Sequence, residues 1–166
     1  MTKEQLGNLI IASEDSLYRI AKSLLYNDAD CGDAIQEAIV KAFSKLHTLR
    51  NDKYAKTWIV RILMNECYAI MRKEKKLVSL EEISEKAFYE REDYSDLYRA
   101  VAELPEDMRL AVCLYYVEGF SIKEIAVIED ITESTVKNRL FRARKRLRKL
   151  LGGEEAMNYE IRTVER

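Results

Sequence analysis

Apolar residues recur every three or four positions along most of this chain, which is the spacing of one face of an α-helix. In the first half this spacing predicts one long or two abutting helices over residues 6–25, a helix over 35–46 and a helix over about 54–73. No competing pattern of alternating apolar and polar residues indicates a strand. The pattern therefore predicts an all-α fold.

The second half contains residues that begin and end helices. Pro105 suits the first position of a helix, and Gly119 suits the position just after one. Ser121 and Glu124 have the spacing of a capping box, in which each side chain bonds to the backbone amide of the other residue. These residues predict a helix between Pro105 and Gly119 and a short helix that begins after Ser121.

A tight turn at residues 129–132 separates this short helix from a long basic one. Thr132 suits the N-cap of the last helix, and Gly152–Gly153 suits its end. Two helices joined in this way form a helix-turn-helix, whose second helix enters the major groove of DNA. The last helix is predicted to pack through apolar positions three and four residues apart: Val136, Leu140, Ala143, Leu147 and Leu150.

Charge is segregated along the chain although it almost cancels overall. The 166 residues contain 28 Lys and Arg and 29 Asp and Glu. Residues 50–76 contain eight basic and three acidic residues, 79–96 contain two and seven, and 137–149 contain eight basic residues and no acidic one. The low net charge therefore does not exclude a nucleic-acid partner, because two basic segments flank an acidic one.

The acidic stretch also lacks a sustained apolar stripe, so it is predicted to be a linker. It separates two small helical domains, the first at residues 1–76 and the second, with the helix-turn-helix, at 94–152. The linker itself is placed at 77–93, and a C-terminal tail follows at 153–166.

Composition excludes several functional classes. His47 is the single histidine, and Cys31, Cys67 and Cys113 form no Cys-x-x-Cys pair. The cysteines are expected to be reduced, buried thiols of a cytoplasmic protein. We expect no metal site, no cofactor and no catalytic residues. No stretch approaches the ~18 uncharged apolar residues of a membrane-spanning helix, so no stable membrane insertion is expected.

The first turns of the last helix carry side chains that can read bases. Lys and Arg bond to guanine, Asn bonds to adenine, and an aromatic ring contacts the thymine methyl group. The candidate base-reading residues are Ser134, Thr135, Lys137, Asn138, Phe141 and Arg142. Phosphates are expected to be held by Arg144, Lys145 and Arg146. The alternative is a solvated basic helix, or one that binds membranes or partner proteins.

Two surfaces of the first half also suggest binding. Cations and aromatic rings share one face of the third helix, which suits single-stranded nucleic acid because bases stack on such rings. These residues are Arg61, Asn65, Tyr68 and Arg72, with Trp58 beside them, although Trp58 could equally be a core residue. On the second helix, Asp33, Gln36 and Glu37 lie opposite the apolar stripe. They form either a merely solvated face or a docking patch for a basic partner.

Three motifs occur in the order found in one known family. They lie at residues 33–43, 57–72 and 104–144, and the similarity extends over about 11–151. With these motifs the chain resembles the extracytoplasmic-function (ECF) group of bacterial RNA polymerase sigma factors.

The resemblance implies partners for the protein. The patch of Asp33, Gln36 and Glu37 would bind core RNA polymerase, and the acidic linker would thread towards the active-site channel of the polymerase. The protein would be a non-catalytic subunit that initiates transcription at selected promoters. An anti-sigma factor, often bound to the membrane, would sequester it until an envelope signal arrives.

The resemblance also divides the promoter DNA between the two domains. The loop at 47–56 and the basic helix would bind the non-template strand of the −10 element, where a base is flipped out of the stack. The −10 residues are Lys56, Trp58, Arg61, Asn65, Tyr68 and Arg72. The −35 residues are Ser134, Thr135, Lys137, Asn138, Arg139, Phe141 and Arg142. Three positions depart from the family pattern: Ala69 replaces an Asp, Tyr54 lies one residue before the usual aromatic position, and Asp130 stands where the turn often has Gly. An Asp tolerates the left-handed conformation less well than Gly but better than most residues.

Three other functions are alternatives to this one. A free-standing helix-turn-helix repressor or activator would need no polymerase patch and usually forms a dimer. A nuclease would need clustered carboxylates for metal ions, whereas the acidic residues here lie in a linker and on a helix face. A membrane-surface protein would use the basic helix to bind anionic lipids.

Overall fold

The computed structural model describes residues 1–78 and 96–152, and all regular secondary structure within these ranges is helical. Four α-helices form the N-terminal half: α1 (Lys3–Ala12), α2 (Glu14–Leu24), α3 (Asp28–Ser44) and α4 (Ala55–Val78). Four more form the C-terminal half: α5 (Asp96–Ala102), α6 (Glu106–Val112), α7 (Ile122–Glu129) and α8 (Glu133–Leu150). The predicted all-α class is confirmed. The linker from residue 79 onward and the tail at 153–166 lie outside the described residues.

The N-terminal helices begin and end where local caps place them. The apolar stretch over 6–25 folds as two abutting helices, because the chain turns at Ser13, whose amide donates a hydrogen bond to the Ile10 carbonyl at 3.0 Å. Helix α3 begins well before the predicted residue 35, since the Asn27 side chain accepts a hydrogen bond from the Asp30 amide at 2.7 Å. Helix α4 continues to Val78, beyond its predicted end near residue 73.

The core of the N-terminal half lies between α2, α3 and α4. Its largest fully buried side chains include Leu6, Ile20, Leu25, Leu63 and Met64. Apolar residues on one face of each helix meet there, as their three- and four-residue spacing predicts.

All three cysteines are buried, as predicted, and none forms a disulfide. Burial raises the pKa of Cys31 to about 11, and that of Cys67 and of Cys113 to about 12. The thiols therefore remain protonated at neutral pH, and a protonated thiol is a poor nucleophile.

Helix α6 continues into a wider, π-helical turn at Cys113–Val117 that the sequence did not predict. Pro105 caps α6 and precedes its first residue, so its predicted place inside the helix is wrong by one position. Gly119 ends the segment as predicted, with a φ of +73° that a residue without Cβ adopts at no steric cost.

The helix-turn-helix follows its predicted local chemistry. The Ser121 amide donates to the Glu124 carboxylate at 2.8 Å, and the Glu124 amide donates to the Ser121 hydroxyl at 3.2 Å, which completes the capping box of α7. Asp130 ends α7 in the left-handed conformation, with φ 55°. The Thr132 hydroxyl accepts from the Thr135 amide at 3.1 Å and so begins α8.

Helix α8 packs on α6 and α7 through most of its predicted stripe. Val136, Leu140 and Ala143 are buried, and Leu147 is half-buried. Leu150 was predicted to be in the core, but it is 48% exposed because it borders a solvent-accessible pocket between α8 and α5, beside Arg99 and Glu103.

The two halves are packed against each other. Helix α2 contacts α6 and the π-helical turn, and α4 contacts α7. Leu110, Leu114 and Phe120 belong to the same apolar cluster as Ile20 and Leu63 of the N-terminal half. One continuous core therefore joins the described parts of the two predicted domains.

We predict that glycine is more stabilising than alanine at Asp130 but less stabilising than alanine at Asp15. Asp15 is exposed in the first turn of α2 and serves as the helical control. A left-handed conformation costs a residue with a Cβ about 1–2 kcal/mol, so Asp130→Gly should be more stable than Asp130→Ala by about 1 kcal/mol. In helical backbone alanine is favoured, so Asp15→Ala should be more stable than Asp15→Gly. Urea denaturation measures both differences. An Asp130→Ala variant as stable as Asp130→Gly would contradict the prediction.

Candidate nucleic-acid interface

The outward face of α8 presents a row of exposed side chains. Ser134, Asn138, Phe141 and Lys145 succeed one another at steps of four and three, directly opposite the buried stripe. Phe141 is 60% exposed, which is unusual for so large an apolar side chain. The face can therefore offer both hydrogen bonds and an apolar contact to a partner.

Cations flank this row on both sides. Lys137 and Arg142 are exposed, and within residues 1–78 and 96–152 neither has an ion-pair partner. Arg146 is exposed further along the helix. Thr135 is half-buried, and its hydroxyl lies 2.8 Å from that of Thr132. A helix with one apolar and one cationic side fits the major groove of duplex DNA.

Arg139, although predicted to contact the −35 element, is engaged inside its own domain. Its guanidinium forms an ion pair with Glu129, whose side chain is only 2% exposed, and lies 3.6 Å from the Asp107 carboxylate. Helix α8 is thereby fixed to α6 and to the end of α7. Arg139 is thus placed to position the recognition helix.

Glu129 is a buried acid held in place by that one cation. Burial raises the pKa of Glu129, while the nearby Arg139 lowers it. Within the described part of the chain, the second carboxylate oxygen of Glu129 has no hydrogen-bond partner. Loss of Arg139 would therefore leave a buried charge without compensation.

Arg144 also differs from its predicted neighbours. It is half-buried and donates a hydrogen bond to the Tyr116 hydroxyl at 3.1 Å, whereas Lys145 and Arg146 extend into solvent. Among the three predicted phosphate-binding residues, the last two are therefore the unobstructed ones.

Helix α4 presents a second polar face. Arg61, Asn65 and Arg72 are exposed on one side of it, and Trp58 lies half-buried at the edge, packed against the core. Trp58 was predicted to be either a nucleic-acid contact or a core residue. One part of its ring system joins the core, and another part remains accessible to a partner. The exposed members form a basic and amide-bearing strip along the helix.

Tyr68 and Lys56 lie apart from this strip. Tyr68 is half-buried, and burial, with the Glu129 carboxylate nearby, raises its pKa to about 12. Lys56 is about 140° around the helix from Arg61, and its Nζ lies 5.3 Å from the centre of the Phe120 ring. Both side chains thus face the C-terminal half of the protein.

The polar patch on α3 is exposed as predicted. Asp33, Gln36 and Glu37 share one side of the helix, and Val40, one turn further on, is 62% exposed among them. Sequence reasoning missed Val40, although its spacing from Gln36 and Glu37 places it on the same face. Val40 adds one apolar contact point to the polar side chains of this face.

Metal-ligand clusters and membrane-spanning helices are both absent from the described residues. Over residues 1–78 and 96–152 no group of three or more His, Cys, Asp or Glu side chains could hold a metal ion. Within the same ranges no helix is both long and apolar enough to cross a membrane. The exposed cationic face of the helix-turn-helix and the basic strip on α4 are the features of a nucleic-acid-binding protein, here built of two helical units.

Comparison with known protein families assigns both units. Residues 9–77 match the family Sigma-70 region 2, and residues 94–147 match Sigma-70, region 4. The chain is 35% identical over 158 residues to the RNA polymerase sigma factor SigV of Bacillus subtilis. This alignment covers 93% of this chain and 95% of SigV. It is 33% identical over 135 residues to the ECF RNA polymerase sigma-E factor of Escherichia coli K12. That alignment covers 70% of this chain and 71% of the sigma-E factor.

Solved structures show the same fold. The sigma factor RpoE of Bartonella quintana, solved in complex with the anti-sigma factor NepR, aligns with a TM-score of 0.78 at 28% identity over 90% of this chain and 98% of RpoE. CnrH, solved with the cytosolic domain of CnrY, aligns with a TM-score of 0.66 at 21% identity. The alignment covers 92% of this chain and 91% of CnrH. The chain belongs to the ECF group of RNA polymerase sigma factors. It is a transcription initiation factor and not an enzyme, and it binds core RNA polymerase and promoter DNA.

We predict that Arg139→Ala destabilises the protein by about 3 kcal/mol, because it leaves the Glu129 carboxylate buried without its partner. Arg142→Ala, on the exposed side of the same helix, should change the free energy of unfolding by less than about 0.5 kcal/mol. Chemical denaturation of the two variants measures the contrast. Equal losses of stability would show that the Arg139 ion pair does not hold the helix.

Proposed function

We propose that α8 reads the −35 element as duplex DNA while the exposed strip of α4 binds the −10 element as a single strand. The observation that carries this proposal is the row of exposed side chains on α8, opposite its buried stripe and flanked by the exposed cations Lys137 and Arg142. A recognition helix uses the residues near its N-terminus for base contacts, and these residues lie in the first three turns of α8.

The side chains on this face match particular base edges. Arg142 and Lys137 bond to guanine, Asn138 bonds to adenine, and the exposed Phe141 ring contacts a thymine methyl group. Ser134 and Thr135 lie at the helix N-terminus, where a phosphate is also favourably bound. Lys145 and Arg146 hold the backbone further along, and Arg144 reaches a phosphate only if its hydrogen bond to Tyr116 is released.

On α4, Arg61, Asn65 and Arg72 contact the unpaired strand. The accessible part of Trp58 provides a surface on which a flipped base stacks. Lys56 and Tyr68 join this site when the C-terminal half no longer faces them. The loop at residues 47–56, with its short 3-10 turns, borders the same end of α4.

Core RNA polymerase docks on α3. Asp33, Gln36 and Glu37 provide the polar contacts and Val40 provides the apolar one. An acidic face with an apolar residue among its charges complements a basic surface that has an apolar pocket.

An anti-sigma factor associated with the membrane controls the protein, which works in the cytoplasm with the polymerase. The similarity to RpoE, which was solved with its anti-sigma factor NepR, supports this partner. The domain limits that we propose are 1–76, 94–152 and, between them, a linker at 77–93, followed by a tail at 153–166. The two family matches, at 9–77 and 94–147, agree with this division.

Transcription in vitro tests the proposal. The purified chain is added to core RNA polymerase with a pool of templates whose −35 and −10 positions are randomised, and sequencing the transcripts gives the selected promoter. Transcripts should depend on both proteins. A chain that does not bind core polymerase would contradict the assignment of α3 and favour a free-standing DNA-binding protein.

On the selected promoter, Arg142→Ala should reduce transcription about tenfold or more, because a specific contact to a base contributes about 1–3 kcal/mol. Core binding should be unchanged. Arg99→Ala, which removes an exposed arginine from α5 of the same half, is the matched control and should transcribe like the unmodified protein. Equal loss of transcription in the two variants would contradict base reading by Arg142.

Glu37→Lys should weaken binding to core polymerase about tenfold, since it reverses a charge within the docking patch. Folding should be little affected because Glu37 is exposed and its contact with Lys41, at 3.5 Å, lies on the surface. Glu4→Lys makes the same change on the exposed side of α1 and serves as the control. Titration of labelled core polymerase measures both affinities, and unchanged binding by Glu37→Lys would remove α3 from the docking surface.

A further inference from the structure

An ion pair connects α3 to α4 within the N-terminal half. The Lys41 ammonium donates a hydrogen bond to Oε1 of Glu66 at 2.7 Å, and it lies 3.5 Å from Oε1 of Glu37 on its own helix. The Glu66 side chain is only 14% exposed, whereas that of Glu37 is 54% exposed. The hydrogen bond to Glu66 raises the pKa of Lys41, so the lysine stays charged at neutral pH. We call Lys41 and Glu66 the α3–α4 ion pair.

Glu66 interrupts an apolar row on α4. Ile62 and Ile70 lie four residues before and after it, hence on the same side of the helix, and both pack against the core. An aliphatic side chain at position 66 would complete this row. A carboxylate there loses solvation that only a paired cation restores, so the acid adds little net stability. Glu66 therefore needs an explanation other than the stability of the fold.

The ion pair adds direction to the packing of the two helices. Apolar contacts are non-directional, and the ridges of a helix surface repeat every four residues. Two apolar faces can therefore also pack one helical turn, about 5 Å, out of step. In that arrangement Glu66 would lose its hydrogen bond to Lys41 and stay between the helices without a cation. The pair thus selects one register of α4 on α3.

The pair lies where the two proposed binding surfaces of this half adjoin. Lys41 is one helical turn from Glu37, at the edge of the docking patch on α3. Glu66 follows Asn65 in the sequence and lies about 100° around α4 from it, beside the basic strip. A change in the register of α4 would therefore displace the strip relative to a polymerase docked on α3.

We propose that the α3–α4 ion pair places the −10 strip of α4 on the docked polymerase, with Lys41 and Glu66 as positioning residues for promoter recognition. Lys41 acts through Glu66, and Glu66 acts through the placement of Asn65 and the rest of the strip. The inference rests on the proposed assignment of α3 to the polymerase and of α4 to the −10 element. Its own claim is that the pair fixes the register of these two helices.

A distance measurement between the helices tests the register without polymerase or DNA. Spin labels are attached to Ser44→Cys on α3 and Lys73→Cys on α4, both exposed positions, while the native thiols are buried. Pulsed electron paramagnetic resonance of this labelled chain should give one narrow distribution of distances. Adding Lys41→Met and Glu66→Leu together replaces the ion pair by an apolar pair. Part or all of the distribution should then shift by about 5 Å, one helical turn.

Stability separates positioning from a merely structural role. The apolar double variant should be at least as stable to urea as the unmodified protein, because replacing an ion pair between helices by apolar side chains is often neutral or stabilising. Lys41→Arg should keep the narrow distribution, since a guanidinium also bonds to a carboxylate. Lys3→Met with Glu14→Leu makes the same two changes at exposed positions of α1 and α2 and should also keep it. An unshifted distribution in the apolar double variant would overturn the proposal, and so would a loss of its helix content.

Transcription by the holoenzyme on the selected promoter tests the consequence. The apolar double variant should transcribe about tenfold less than the unmodified protein, because contacts of the displaced strip with the unpaired strand are lost. Its affinities for core polymerase and for the −35 duplex should be unchanged. Lys41→Arg, and Lys3→Met with Glu14→Leu, should transcribe like the unmodified protein. A loss of core binding equal to the loss of transcription would place the pair in the docking patch itself and overturn the proposal.

Asn65→Ala separates this inference from the proposed function on which it rests. If the distances shift but transcription is unchanged in the apolar double variant, the positioning role is refuted. A loss of transcription in Asn65→Ala would then leave the assignment of α4 to the −10 element standing. If Asn65→Ala also transcribes normally, that assignment fails as well, whereas the distance measurement still decides whether the pair fixes the register.

Discussion

Each half of this chain is too small to bury a large apolar core alone, and the rest of the structure depends on that constraint. A domain of about 60 residues buries only about 60% of the surface that its unfolded chain exposes. The two halves compensate by sharing one cluster, in which Leu114 and Phe120 meet Ile20 and Leu63. The helical faces outside this cluster are what remains for the polymerase and for DNA.

Local chemistry was predictable from the sequence because its causes lie within a few residues. The capping box at Ser121, the N-cap at Thr132 and the left-handed Asp130 each depend on neighbours along the chain. The spacing of apolar residues likewise located the helices other than α5, and the outward face of α8. In each case the interacting atoms are separated by at most a few turns of helix.

What could not be predicted depends on contacts between distant segments. Arg139 has the same side chain as Arg142, and only the packing of α8 on α7 shows that Glu129 binds the first while the second is exposed. The positions of Tyr68 and Lys56 against the other half, and the π-helical turn before Glu118, arise in the same way. The sequence shows which positions are charged, whereas only the folded structure shows which residue each charged side chain contacts.

Polar and apolar contacts have different roles where the two halves meet. The Glu118 carboxylate accepts hydrogen bonds from Arg19 of α2 at 2.7 and 3.4 Å, beside the apolar cluster that the halves share. The desolvation of Glu118, only 3% exposed in the packed state, offsets much of its attraction to Arg19. Such an ion pair specifies one arrangement strongly while contributing little net stability to it. The apolar cluster therefore provides most of the net stability of the packing, and the ion pair selects its geometry.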